Sequence, residues 1–264
     1  MMRTSILKTA LVVAAFAALS FSGPTPASAA EAVTGDKVAT DKGDLIIHPL
    51  KHATLVLAWG GKTIYVDPAP APGSPKGADG ADAFKGMPPA DIITVGHQHG
   101  DHFDVPTLQK VVGAKTVLVV PQDIADKLPA DLKGKAKVLA NGQSADVEGI
   151  KIEAVPAYNT SADKQQFHPK GRDNGYVLTL GGKRVYIAGD TEGVPEMQAL
   201  KNIDVAFIPM NLPYTMTPEE AAKAVLAFKP KIVYPYHYGQ SDLNAFEKAL
   251  GANSGIEVRK RNWY

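Results

Sequence analysis

The sequence predicts one α/β domain built in four layers: helix, sheet, sheet and helix. Three observations lead there. Short apolar runs of strand length are separated by turn residues from Asp44 onward, helical patterns alternate with the later strands, and one hairpin phrase occurs twice.

Residues 1–29 stand apart from that pattern. Arg3 and Lys8 form a short positive region, residues 9–21 are an apolar run without a charge, and Ala27, Ser28 and Ala29 supply small residues at the spacing of a signal-peptidase site. The run falls short of the roughly 20 apolar residues that a membrane span needs. A retained anchor is the competing reading, but the cleavage site favours a signal peptide, and with no cysteine in the chain there is none to acylate. The mature protein is therefore expected to be exported, periplasmic or secreted. Residues 30–43 are small and polar and read as a flexible leader, so the domain proper is expected over 44–264.

Within it, strands are expected over 45–47, 54–57 and 63–66, the last two joined at Gly60 and Gly61 as a tight hairpin. Residues 68–89, rich in Pro, Gly and Ala, read as an irregular surface loop. A strand over 92–95, a helix over 105–112 and a strand over 116–120 follow, then strands over 150–155, 176–180 and 184–188, with Ile208 and Ile232 in two more. Thr217, Pro218 and Glu220 form a helix start with cap, first-turn proline and capping-box glutamate. That helix runs to about Phe228 and stops before Pro230; another begins near Ser241 and ends near Gly251. The phrase LAWGGKTIYV at 57–66 is echoed by LTLGGKRVYI at 178–187, and the two precede Asp67 and Asp190. Common hairpin grammar produces such echoes. So do two similar βα halves facing each other, which is the origin of the four layers.

Setting aside 1–29 removes two of the 28 basic residues and none of the 27 acidic ones, leaving 26 against 27. A nearly neutral chain without a Lys/Arg stripe is expected to engage a small-molecule substrate rather than nucleic acid, and its mature form is expected to make no stable membrane insertion. The oligomeric state is open. The absence of cysteine excludes disulfides, thiolate ligands and thiol nucleophiles together. A metal here would be held by imidazole, carboxylate and water.

His97, His99, Asp101 and His102, spaced by Gln98 and Gly100, are the strongest chemical signal. They follow the 92–95 strand, where the backbone is rigid on one side, and Gly100 is expected to let the chain turn sharply. Imidazole nitrogen and carboxylate oxygen in one short loop suit zinc, manganese or iron.

This His-x-His-x-Asp-His run after a buried strand resembles the defining motif of the metallo-β-lactamase superfamily. The resemblance implies the αββα sandwich of that family and two divalent metal ions, zinc foremost. It assigns His97 and His99 to one ion, and Asp101 and His102 to the other. It extends to Gly189-Asp190-Thr191, which looks like the bridging aspartate, and to Pro235-Tyr236-His237-Tyr238, which looks like the last histidine ligand. Each lies at a strand's C-terminal end. One position departs: where the family places a third histidine for the first metal, after the 150–155 strand, this chain has Asn159. His168 is the nearest imidazole and is either the substitute ligand or a surface-loop histidine. Asparagine oxygen suits harder metals than zinc. The phrases around His52, Asp67 and Tyr214 resemble the branch that contains ascorbate-6-phosphate lactonase and N-acylphosphatidylethanolamine phospholipase D. Asp67 is expected to orient a ligand histidine, whereas His52 and Tyr214 either line the pocket or pack in the core.

The expected function is a metal-dependent hydrolase acting on a small ester, lactone or phosphodiester, with Asp101 as the catalytic residue that orients the attacking oxygen and moves its proton. A non-catalytic metal- or ligand-binding protein on the same fold is the alternative that Asn159 leaves open. No Gly-x-Ser-x-Gly nucleophile motif is present. The leader generates a first prediction: N-terminal sequencing of protein from its native host should begin near Ala30, and a retained Met1 on a soluble form would exclude cleavage.

Overall fold

Gly60 and Gly61 both take left-handed conformations, with φ of 59° and 77°, and so do Gly181 and Gly182, at 55° and 79°. A two-residue hairpin turn of this hand fits the natural twist of the strands it joins, and glycine adopts it without a steric cost. The first pair closes β3 (Thr54–Trp59) onto β4 (Lys62–Val66) with Trp59 opposite Lys62. The second closes β10 (Asp173–Leu180) onto β11 (Lys183–Ile187) with Leu180 opposite Lys183. The echoed phrases are thus the same hairpin in two places.

The structure, a computed structural model, describes residues 33–264, and around each hairpin it builds the same sheet. The first sheet runs β1 (Asp36–Thr40), β2 (Gly43–Lys51), β3, β4, β5 (Ile92–Thr94), β6 (Val117–Val120) and β7 (Ala136–Val138), in that order. The second contains β8 (Ser144–Val147), β9 (Ile150–Ala157), β10, β11, β12 (Val205–Pro209), β13 (Ile232–Tyr236) and β14 (Glu257–Val258), again in sequential order. Each is antiparallel up to its fourth strand and parallel beyond it. Two βα halves facing each other is the reading that this topology bears out.

Period-two alternation decides which residues face which layer. Leu55, Leu57, Ile64 and Val66 meet Tyr176, Leu178, Val185 and Ile187 between the sheets. Their neighbours Val56 and Tyr65 face outward, where α1 (Val105–Val111) and α2 (Gln122–Lys127) bring Leu108 and Ile124 onto them. Val177 and Tyr186 face α5 (Pro218–Phe228) and α6 (Leu243–Leu250) on the opposite outer layer, and two short helices, α3 (Ala130–Lys133) and α4 (Pro195–Gln198), complete the set. The α5 cap is the expected reciprocal box: Glu220 N–H donates to Thr217 Oγ1 (3.1 Å) and Thr217 N–H to Glu220 Oε2 (2.8 Å). No helix among the described residues is long and apolar enough to cross a membrane.

Three expectations need correction. The segment 30–43, expected as a flexible leader, contains β1: Val38 packs against the core and all five residues of the strand pair with β2. One apolar residue among polar ones gives no strand signal, and the strand exists because β2 offers it an edge. The 68–89 loop holds a short 3₁₀ turn, Ala81–Phe84, whose Phe84 ring stacks on Tyr65 at 4.2 Å. Gly100 does not use a left-handed conformation, and a Cβ there would meet open space. The turn is instead made by His102 N–H (2.9 Å) and Phe103 N–H (2.8 Å), both donating to His99 O. The expected signal peptide, 1–29, lies outside the described residues.

Just before that turn the two sheets are stitched together. Tyr176 hydroxyl donates to Val95 O (3.0 Å), and Asn174 N–H donates to Gly96 O (3.0 Å). A Cβ on Gly96 would sit 2.8 Å from Asn174 O, a backbone atom that cannot yield. Gly96→Ala should therefore destabilise by about 1–3 kcal/mol through overpacking, whereas Gly100→Ala should stay within about 0.5 kcal/mol. Calorimetric unfolding of the two variants tests the contrast, and equal effects would mean the sheets can part at this point.

Candidate metal centre

The loop after β5, the turns after β4, β11 and β13, and the loop between β9 and β10 all converge at one end of the sandwich. There the side chains form two groups, His97, His99, His168 and Asp190 in one, His52, Asp101, His102 and His237 in the other. In each group the potential ligand atoms lie within 4.8 Å of one another. The second expected ligand pair, Asp190 and His237, thus joins the first motif, and His168 enters where the sequence left its place open.

Asp190 lies between the groups. Its Oδ1 is 3.4 Å from His102 Nε2, and its Oδ2 is 3.8, 3.5 and 3.3 Å from the Nε2 atoms of His97, His168 and His237. All five residues are buried. Those four Nε2 atoms and Asp190 Oδ1 are also buried without a hydrogen-bond partner among the described residues. Leaving buried polar atoms unpaired costs about 1–3 kcal/mol each, so a cage aimed at a shared space fits a group that supplies the missing partner. Imidazole nitrogens and carboxylate oxygens gathered in this way make a donor set for a divalent transition metal, and metal–ligand bonds of about 2.0–2.2 Å need only small side-chain adjustments from this geometry.

The outward nitrogens are fixed by other residues. His102 Nδ1 is 2.8 Å from Asp67 Oδ2, and Asp67 Oδ1 accepts from Gly96 N–H (2.9 Å), so the expected orienting role of Asp67 matches its contacts. His168 Nδ1 is 3.1 Å from Asp173 Oδ2, and Arg172 Nε donates to Asp173 Oδ1 (2.6 Å). Asn159, expected as a tentative ligand or pocket residue, belongs to neither group. Its Nδ2 donates to Lys164 O (3.0 Å) and Tyr214 O (2.8 Å), and its backbone N–H donates to His168 O (2.8 Å). It braces the loop that delivers His168. Glu192 holds that loop from beneath, accepting from the N–H groups of Thr160 (2.6 Å) and Ser161 (2.8 Å).

Sequence reasoning left His52 between pocket and core, and it missed Tyr264. His52 Nε2 is 2.9 Å from Asp101 Oδ2 and its Nδ1 is 2.9 Å from the Tyr264 hydroxyl. That hydroxyl accepts from Gly239 N–H (2.8 Å), and burial pushes its pKa up to about 12, so it keeps its proton and donates it to His52 Nδ1. His52 then carries its own proton on Nε2 and donates to Asp101, which makes it a holder of the carboxylate rather than a ligand. Of the six non-glycine residues with positive φ among those described, His52 (58°), Asp67 (44°) and His237 (45°) are in this centre, so backbone strain is concentrated where side chains must be aimed.

Burial drives the His97 pKa far below its ordinary value, helped by the charges of His102 and His168, so the ring is neutral and one of its nitrogens keeps a free lone pair. Burial pushes Asp190 the other way, but His237, His102 and His168 outweigh it and keep the carboxylate ionised. His102 is also penalised by burial, yet Asp190, Asp101 and the hydrogen bond to Asp67 push its pKa up to about 10.

Comparison with known proteins gives the family. The family described as Beta-lactamase superfamily domain matches residues 47–237. A UPF0173 metal-dependent hydrolase of Pyrococcus abyssi is 35% identical over 221 residues, 80% of this chain and 94% of that one. A crystal structure from Parabacteroides distasonis, provisionally named a metal-dependent hydrolase, is 44% identical with a TM-score of 0.77, covering 86% of this chain and 98% of that one. A Thermotoga maritima member of the metallo-β-lactamase superfamily superposes with a TM-score of 0.51 at 21% identity, over 81% of this chain and 96% of that one, a likeness of fold. The chain belongs to the β-lactamase superfamily and has the metallo-β-lactamase fold.

A ligand imidazole must be unprotonated, so an ion entering the second group displaces the His102 proton. Purified protein should hold one to two transition-metal ions per chain. Because His102 stays protonated up to about pH 10 in the metal-free fold, apparent affinity should fall about tenfold for each pH unit below that value. Calorimetric titration in buffers of different ionisation enthalpy reads the released proton. Binding without proton release would place the ion elsewhere.

Proposed function

We propose that this metal-dependent hydrolase of the β-lactamase superfamily uses its two side-chain groups as one dinuclear centre, acting on a small ester, lactone or phosphodiester. The observation that carries the reading is Asp190, a buried carboxylate within 3.8 Å of four imidazoles drawn from both groups. His97, His99, His168 and Asp190 would hold one ion, and Asp101, His102, His237 and the other oxygen of Asp190 the second. Zinc suits this donor set best, and manganese or iron is also compatible with it. When bound, such ions acidify water to near-neutral pKa and meet negative charge that develops on a substrate oxygen.

The chain's own residues do the rest. Asp101, part-exposed to the cleft while its neighbours are buried, orients the attacking water and takes its proton. His52 donates to Asp101 Oδ2 and fixes that carboxylate's rotation; Tyr264, on the far side, fixes His52. Asp67 and Asp173 keep the Nε2 atoms of His102 and His168 facing inward. The case for a non-catalytic binder rested on Asn159, and with His168 completing the first group nothing in the geometry favours it. The signal-like pattern read at 1–29, with its positive start, apolar run and small-residue site, supports action outside the cytoplasm.

Asp101→Asn keeps the shape and one ligating oxygen but removes the basic carboxylate. We expect kcat to fall by about 10²–10⁴, with little change in thermal unfolding and at most partial metal loss. His168→Ala should weaken metal binding first, so that excess metal partly restores its rate. Turnover by Asp101→Asn at the wild-type rate would remove the proton role from Asp101.

A further inference from the structure

A cleft of about 600 Å³ opens over the two side-chain groups, a size ordinary for small-molecule sites. Its wall is unusual in charge. Among the described residues that line it there is no lysine and no arginine, and its two carboxylates are Asp101 and Asp190 at the floor. The part of a substrate that extends away from the floor therefore meets no cation. An anionic group there would lose its hydration without gaining a partner.

What the wall offers instead is aromatic surface and free amides. The exposed large hydrophobic residues among those described are Leu212, Tyr214 and Tyr264. Tyr214 and Tyr264 line this cleft, and Leu212 sits in the same 211–215 loop as Tyr214. Exposed apolar side chains gathered at one place mark a binding surface; scattered ones do not. Phe167 backs Tyr214 edge to face, with ring centroids 5.1 Å apart, which fixes the Tyr214 ring as a platform. The loop beneath is pinned by Asn159 Nδ2 on Tyr214 O (2.8 Å). Asn211 and Gln240, also on the wall, make no side-chain hydrogen bond among the described residues, so both amides are available to a ligand.

We propose that the substrate is an uncharged ester or lactone whose non-reacting part is aromatic or bulky and apolar, seated on Tyr214 and Tyr264 and hydrogen-bonded by Asn211 or Gln240. This rests on the hydrolase reading above and narrows it. A carbonyl develops one negative charge on attack. A phosphodiester starts with one and gains another, and among the described residues that line the cleft no lysine or arginine shares that load with the floor. In the reaction the water oxygen bonds to the acyl carbon, the acyl C–O bond breaks, and the proton taken from water ends on the departing oxygen.

The experiment uses metal-loaded mature protein and four probes: dihydrocoumarin, phenyl acetate, 4-acetoxybenzoate and bis(4-nitrophenyl) phosphate. After correction for uncatalysed rates, the two neutral carbonyl probes should exceed the other two in kcat/KM by about tenfold or more. The comparison of phenyl acetate with 4-acetoxybenzoate is the sharpest, because the added carboxylate gives the better leaving group and still should react more slowly. Tyr214→Ala should raise KM for dihydrocoumarin about tenfold with kcat within about threefold, and Tyr214→Phe should restore it. A faster phosphodiester, or indifference to the carboxylate, overturns the inference and leaves the hydrolase reading standing. Metal-loaded protein that hydrolyses none of the four overturns both.

Discussion

The centre depends on one constraint: Asp190 is a carboxylate with almost no access to water. A buried anion survives only beside positive charge or strong donors, and Asp190 has four imidazole nitrogens within 3.8 Å. Those imidazoles lie on loops that leave strands of both sheets. Only a fold that brings the C-terminal ends of two sheets together can satisfy it. Gly189 N–H donating to the Tyr236 hydroxyl (2.9 Å) fixes the turn that presents it, so the position is set by the core and not by the loop alone.

The repeated hairpin explains how the fold does this. Asp67 and Asp190 both follow the fourth strand of their sheets, Asp67 by one residue and Asp190 by three. The two have diverged in use. Asp67 turns to His102 Nδ1 and Gly96 N–H and never reaches the shared space, whereas Asp190 bridges it. One half contributes a carboxylate that aims a single imidazole and the other a carboxylate that faces four of them, which is how a symmetric scaffold yields an asymmetric site.

The legible part of the site was local in sequence. His97, His99, Asp101 and His102 lie within six residues after a buried strand, and Asp190 and His237 each follow a run of apolar residues, so strand ends and chemistry could be read together. His168 could not be settled that way. Its place depends on a backbone bond to Asn159 and on Asp173, five residues later, pairing with its ring. The same asparagine that looked like a missing ligand is the brace that brings the substitute. His52 and Tyr264 are 212 residues apart, and no local pattern joins them. Gly100 shows the opposite error: a glycine in a metal loop suggested a turn requirement that the backbone does not have.

Precision in such a centre comes from residues that never touch the reacting atoms. A ligand histidine with one free nitrogen can rotate, but with its other nitrogen held by a buried carboxylate it presents one lone pair in one direction. Here His102 and His168 are held in this way, and His52 holds Asp101 from the other side. The holders are themselves held, Asp173 by Arg172 and His52 by Tyr264. Each added layer removes rotamer freedom before a substrate arrives, so less ordering remains to oppose binding. The cleft above is tied into the same bracing: Asn159, whose backbone N–H holds His168 O, also holds Tyr214 O (2.8 Å), so the aromatic wall and the imidazole beneath it are placed by one residue.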